Sequence, residues 1–339
     1  MKDLSTKISI IFPSYNGEIF IAKNLNSIQN LDNVDKIELI IVDNNSIDST
    51  LEIIKSFKNI KKTIIESDTN LGFGKACNLG VQRSKGEFIF ITNQDVSFPK
   101  DFFVILLDLY NELKKEKEIV ICPAIVYPGN YINYFGAKIH FLGFSYTKDM
   151  YRKITEKKIF FRTLKASGCS MFMKRSTFIR LKGFDPFFFM YHEDTDLSLK
   201  ALRFGIPIYT TNKTLLKHQK LHMLINFFTY FHIEQNRFIV LYKNINSMKL
   251  LAPFILISEL ILLFQAILTK KLKLRIKIYK FLIQNYKQIK QLRFSKFNKS
   301  VPRLKKRDLD RNLEPIIMGR ILGNVKILRL FLKIVNLIL

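Results

Sequence analysis

Ile8-Ser9-Ile10-Ile11-Phe12-Pro13-Ser14-Tyr15-Asn16-Gly17 opens with a short apolar run rich in β-branched residues and closes on turn residues. The run suits a buried strand, Pro13 stops it, and Ser14 to Gly17 is turn chemistry. Ile21, Leu25 and Ile28 then recur at i, i+4 and i+7, one face of a helix. The same grammar repeats downstream. Residues 39–42 read as a second strand followed by the polar loop 43–49, and 62–65 as a third strand. A Gly-containing loop runs into a helix over 71–85, a fourth strand at 87–92 ends in Asn93-Gln94-Asp95, and 119–122 reads as a fifth. Strands alternating with helices predict an α/β fold with a mostly parallel sheet covered on both faces. Polar residues follow three strand ends, at 14–16, 43–45 and 93–95. In open α/β sheets that edge is where ligands bind.

Residues 126–165 are irregular, rich in Tyr, Phe and Gly, and are read as a connection with small strands. Patterning returns with a strand at 168–173, a short helix at 174–181, an aromatic loop at 183–192 and a helix at 193–204. Gly205 and Pro207 end that helix. The chain divides into a domain over 1–222 and a helical region, both basic and apolar, over 223–339.

Of the net charge of +27, +21 falls on residues 213–339, which carry 26 Lys and Arg against five acids. That asymmetry points to an anionic partner, nucleic acid or a membrane surface. Nearly half the residues are apolar, which excludes wholesale disorder. Cys77, Cys122 and Cys169 lie far apart with no C-x-x-C pair, so a reducing compartment fits. Residues 8–12 are too short for a secretory h-region, so the N-terminal part is expected to stay in the cytoplasm.

Several stretches together resemble glycosyltransferase family 2. Residues 8–16 look like its opening strand, and Ile40-Ile41-Val42-Asp43-Asn44-Asn45-Ser46 like its second strand and nucleotide-binding loop. Asn70-Leu71-Gly72-Phe73-Gly74 resembles its third element. Ser167-Gly168-Cys169, Gly183-Phe184-Asp185 and Glu193-Asp194-Thr195-Asp196-Leu197 resemble the catalytic half of its rhamnosyltransferase-like branch. The match runs in order over roughly 7–243. It implies a GT-A fold, a divalent metal (Mg2+ or Mn2+) and inversion at the sugar carbon of a nucleotide-diphosphate donor, with rhamnose suggested by the branch.

The residues themselves carry compatible chemistry. Asp43 can accept from a nucleobase N–H at a strand end, or serve an Asx-turn. Pro13, Tyr15, Asn16, Asn70, Gly72 and Asn93 complete the expected nucleotide site. Asp95 stands where the family holds a metal-binding D-x-D, here reduced to Asn93-Gln94-Asp95. One carboxylate, diphosphate oxygens and water can still hold a hard cation, and His218 is a candidate second ligand. Glu193, Asp194 and Asp196 suit the dipole of a helix start. Clustered carboxylates also raise one another's pKa, which suits a general base. The resemblance assigns the base to Asp194, with Glu193 orienting the base or the acceptor. Asp48 and Thr50 are read as turn and cap residues, and His192 as a packing neighbour. Asp196 is read as making a structural hydrogen bond, and Asp196 and Arg237 are also candidate contacts to diphosphate or acceptor.

Residues 250–268 hold one charge, Glu259, and are just long enough to span a bilayer. Lys243 and Lys249 precede them, and 270–307 carry 15 basic residues and no acid, so a single span would strand one basic cluster. A helix at the cytoplasmic leaflet, with 270–307 on anionic headgroups, is the preferred reading. A span, alone or as a hairpin with 316–339, and a buried core helix are the alternatives. The expected function is sugar transfer to a glycan or lipid-linked acceptor in cell-surface polysaccharide or glycolipid synthesis. The competing class is a nucleic-acid-binding protein that uses the basic aromatic region, although no recognised nucleic-acid motif accompanies it and none is expected as a partner.

Overall fold

A computed structural model describes residues 7–58, 60–113, 118–147, 149–219, 226–246, 248–295, 302–305 and 308–309. The apolar run 316–339 lies outside them. The chain forms two compact units, Met1–Ala137 with Thr147–Met223, and Lys138–Tyr146 with Leu224–Leu339. Dividing the chain after residue 222 leaves 138–146 in the first domain. Phe141, Leu142 and Phe144 of that segment are buried, and the Leu142 carbonyl accepts from Arg237 of the second unit, 3.0 Å away.

The first unit opens with β1 (Ile8–Ser14), α1 (Glu18–Gln29), β2 (Ile37–Asp43), α2 (Thr50–Ser56), β3 (Lys62–Glu66), α3 (Phe73–Arg83) and β4 (Phe88–Thr92). The four strands are parallel, with β1 between β2 and β4 and β3 outside β2. Their register sets Ser14 beside Asp43, so the polar residues after each strand emerge at one edge. Every residue of β4, and Ile8 to Phe12 of β1, is buried, as expected for strands covered on both faces.

Next come β5 (Val96–Ser97), α4 (Phe102–Glu112), β6 (Val120–Tyr127) and β7 (Tyr131–Tyr134); β8 (Ala137–Ile139) and β9 (Ser145–Thr147) pair with each other and fall mostly in the second unit, and β10 (Phe160–Thr163) returns to the first. The unit closes with β11 (Ser170–Lys174), α5 (Arg175–Arg180), α6 (Glu193–Arg203) and β12 (Ile208–His218). The main sheet runs β10-β12-β6-β11-β4-β1-β2-β3, with β5 on β12 and β7 on β6. The expectation of a mostly parallel sheet is therefore corrected to a mixed one. β11 is antiparallel to both β4 and β6, because it starts with Ser170 beside Thr92, the last residue of β4. It begins at the ligand edge and runs away from it. The Thr92 hydroxyl donates to the Cys169 carbonyl at 2.8 Å and fixes the turn there. Phe88, Phe90, Phe102, Phe103 and Phe172 fill the core between β4, β11 and α4, with Phe90 and Phe102 edge-to-face at 5.2 Å. The three cysteines are buried and form no disulfide.

The second unit contains α7 (Phe227–Asn244), α8 (Met248–Leu268), α9 (Leu272–Gln284) and α10 (Tyr286–Phe294). Asn226 caps α7, its side-chain oxygen accepting from Thr229 N at 2.8 Å. Within the bundle two arginines and two glutamates close on one another. Arg237 donates to Glu259 at 2.6 Å and Arg275 to Glu234 at 2.7 Å, and Arg275 also pairs with Glu259. Tyr279 donates its hydroxyl to Glu259 at 2.8 Å. Removing one member would leave a buried charge uncompensated, at a cost of about 3–5 kcal/mol. Arg237 is wholly buried and committed to these carboxylates. Its expected contact with diphosphate is therefore not supported. α8 does not pack as a core helix among the described residues: only Leu251, Glu259, Leu262 and Ala266 of it are buried.

Candidate functional site

The edge at the ends of β1 and β2 is held by Asp43. Its carboxylate accepts from the Ser14 hydroxyl at 2.9 Å, from Ser46 N at 3.0 Å and from the Ser46 hydroxyl at 2.6 Å. Three of about four acceptor positions on a carboxylate are thus used within the loop. The backbone of Asn16 is left-handed (φ 44°), and its side-chain oxygen accepts from Ile47 N at 3.0 Å. Asp48 accepts from Thr50 N at 3.1 Å and Glu18 N at 3.2 Å, a turn role. Tyr15 is exposed, and its main chain is clamped by the Gln94 amide, which accepts from Tyr15 N at 3.1 Å and donates to Tyr15 O at 3.0 Å. Pro13, Tyr15, Asn16 and Asp43 are therefore brought together.

Asn44 ties this loop to the third element, its side-chain oxygen accepting from Leu71 N at 3.4 Å. Asn70 accepts from Gly72 N at 2.9 Å. Gly72 has φ 76°, and a Cβ there would lie 2.0 Å from the Phe189 carbonyl oxygen. Close backbone packing alone accounts for glycine at this position. Asn93 is half-buried, and its carbonyl accepts from Asn24 at 3.4 Å.

Asp95 and His218 meet because β5 pairs with the end of β12, aligning His218 with Val96. The His218 Nε2 lies 3.6 Å from an Asp95 carboxylate oxygen, and Gln219 N donates to the Asp95 carbonyl at 2.8 Å. Cis ligands around a cation with bonds of about 2.1 Å sit about 3 Å apart; the pair stands wider than that at 3.6 Å and could share a cation only by closing slightly. No group of three or more His, Cys, Asp or Glu suited to a metal exists among the described residues. The remaining coordination positions would fall to diphosphate oxygens and water.

Asp194 sits in the first turn of α6. Lys165 Nζ lies 2.8 Å from its Oδ2, and Gly168 N donates to the same oxygen at 3.3 Å. Burial pushes the Asp194 carboxyl up, but the Lys165 ammonium and its hydrogen bond outweigh that and hold it below the ordinary range. Glu193 behaves oppositely. Burial first, and then the Asp194 charge, raise it to about 8. It packs beside α3, where a Cβ on Gly74 would come within 3.5 Å of its own Cβ, and its Oε2 has no hydrogen-bond partner among the described residues. The expected mutual raising thus falls on Glu193, and Asp194 departs from it because a lysine stands beside it. Asp196 is wholly buried, its carboxylate 3.2 Å from Lys200 Nζ, which also donates to the Gly183 carbonyl at 2.8 Å. That ion pair commits the Asp196 carboxylate inside the fold, the structural role read from the sequence.

Sequence reasoning missed Lys165 and Gln94. Lys165 lies in a stretch read as irregular, one base among 55, with no spacing that marks it. Gln94 stands inside the quoted Asn93-Gln94-Asp95, but its clamp depends on how two strand ends sit side by side.

A model of the family described as Glycosyl transferase family 2 matches residues 9–181, about half of the chain. Poly(ribitol-phosphate) beta-N-acetylglucosaminyltransferase TarS of Staphylococcus aureus is 34% identical over 92 residues, covering 26% of this chain and 16% of TarS. Glycosyltransferase GlyA of Streptococcus pneumoniae is 24% identical over 223 residues, covering 63% of this chain and 30% of GlyA. The chain thus spans under a third of either relative's length. Among solved structures, the mannosyltransferase PcManGT of Pyrobaculum calidifontis, in complex with GDP-Man and Mn2+, aligns with a TM-score of 0.51 at 16% identity. That alignment covers 82% of this chain and 75% of PcManGT, a likeness of fold of the GT-A kind. With the family model spanning the sheet from β1 through β11 and into α5, the chain belongs to glycosyl transferase family 2.

Proposed function

We propose that the first unit transfers a sugar, with inversion, from a nucleoside-diphosphate donor to a hydroxyl of a glycan or lipid-linked acceptor of cell-surface polymer synthesis. The observation that carries this is the arrival of three separate acidic groups at one sheet edge: Asp43 at the end of β2, Asp95 beside His218, and Asp194 beside the turn that starts β11.

Tyr15 offers an exposed ring to the nucleobase, and Asp43 keeps about one acceptor position for a base N–H. Asp95 and His218 would hold Mg2+ or Mn2+, which balances charge as the nucleoside diphosphate departs. An imidazole in the set favours Mn2+, because Mg2+ prefers oxygen ligands. Asp194 is ionised at neutral pH and takes the proton of the acceptor hydroxyl as the new bond to the anomeric carbon forms. Lys165 orients its carboxylate. Burial and the Asp194 charge push Glu193 toward its neutral form, which limits negative charge beside the base. The branch resemblance makes rhamnose the first donor to try, and the poly(ribitol-phosphate) on which TarS acts makes a polyol-phosphate polymer the first acceptor.

Asp194→Asn tests the base. Transfer should fall by about 10²–10⁴-fold, while UDP, GDP or dTDP, whichever the native chain holds, still binds. Transfer within about tenfold of native would remove Asp194 from the role.

A further inference from the structure

We propose that the second unit docks on anionic lipid bilayers through α8, lying flat in the interface between headgroups and acyl chains instead of crossing the membrane. This goes beyond the transferase reading and does not depend on it.

α8 is inside out for a helix facing water. Its exposed side chains after Lys249 are all apolar, among them Leu250, Leu256, Leu260, Phe264, Ile267 and Leu268. Its one acid, Glu259, lies on the buried stripe with Leu251, Leu262 and Ala266. A helix solvated on its outer face shows the reverse pattern, and an uninterrupted apolar face of this length marks an interaction surface. From 250 to 268 the face runs about 28 Å along the helix.

Charge selects the occupant. Lys270, Lys273, Lys277, Lys280, Lys287 and Lys290 are exposed on and before α9 and α10, and 270–307 contain no acid. Exposed Leu272, Ile276 and Ile283 alternate with these lysines. Apolar side chains interleaved with ammonium groups match an anionic headgroup layer over acyl chains. A second copy would bring the same cations together, and a nucleic acid would leave the apolar face uncovered.

Glu259 decides for flat over spanning. It is the twelfth of the 21 residues of α8, at mid-helix, and it is gripped by Arg237 of α7 and by Arg275 and Tyr279 of α9. Spanning would carry it to mid-bilayer and strip both arginines of a partner. Lys249 and Lys270 bracket the helix, and only a flat orientation puts both on one headgroup layer.

The test floats the full chain with phosphatidylcholine vesicles with and without phosphatidylglycerol, beside an RNA gel shift at the same salt. Flotation should require phosphatidylglycerol and weaken by at least about tenfold in Leu260→Glu/Phe264→Glu, with the Tm unchanged. In sealed inside-out membranes from expressing cells, Lys249→Cys and Lys270→Cys should both react with an impermeant maleimide. Protection of one of them would mean a span and overturn the proposal. So would absence of flotation, retention on RNA without vesicle binding, or a double variant that binds vesicles normally but melts earlier, which would mean that protein covers the face. None of these readouts uses a sugar donor, so failure here leaves the transferase reading untouched.

Discussion

Lys165 determines how Asp194 behaves. A carboxylate buried in the first turn of α6, beside another acid, would on those grounds alone have a raised pKa; the ammonium at 2.8 Å reverses the sign. Asp194 and Glu193 were legible because acids at a helix start form a local pattern. The lysine was not, because it reaches Asp194 only through the fold of the segment before β11. The sign gives a pH test. Asp194 must be ionised to accept a proton, so activity fails as pH falls through its pKa. Lys165→Met removes the group that holds that pKa down and leaves burial pushing it up. The acid limb of kcat/KM should move to higher pH. An unmoved limb, with activity lowered equally at every pH, would show that Lys165 does not set the charge of Asp194.

At the scale of elements, β1 to β4 were readable because apolar runs bounded by turn residues are local signals. The direction of β11 was not, since a strand's residues look the same whichever way it runs. The strand read at 119–122 is β6, which runs on through Pro123 to Tyr127. Pro123 is tolerated where the register of β12 shifts between Thr211 and Leu215 and the ladder is already interrupted. β7 to β10 are short and mix aromatic with polar residues, so period-two patterning has no length in which to show. The pairing of β5 with β12 carries chemical weight, because it aligns His218 with the loop that holds Asp95. His218→Ala should raise the Mn2+ concentration for half-maximal activity by at least about tenfold and leave metal-free nucleotide binding as it was. An unchanged Mn2+ dependence would place the metal elsewhere.

Over the whole molecule, the charge asymmetry of the sequence corresponds to two units of different character. The first is an α/β sheet whose ligand edge gathers Asp43, the Asp95–His218 pair and the Asp194–Lys165 pair. The second is a helical bundle with a closed four-charge cluster inside and apolar side chains outside on α8. Arg237 shows why one reading failed: an arginine at a plausible distance along the chain says nothing of which unit's carboxylates claim it. The central claim is that the first unit cleaves a nucleoside-diphosphate sugar. The most direct measurement is release of nucleoside diphosphate from UDP-, GDP- and dTDP-sugars, dTDP-rhamnose included, with Mn2+ and with EDTA. At least one donor should be turned over with Mn2+, slowed by EDTA, and slowed further in Asp95→Ala. Binding of no nucleotide sugar in the panel, or turnover equal in Mn2+ and EDTA and indifferent to Asp95, would contradict it.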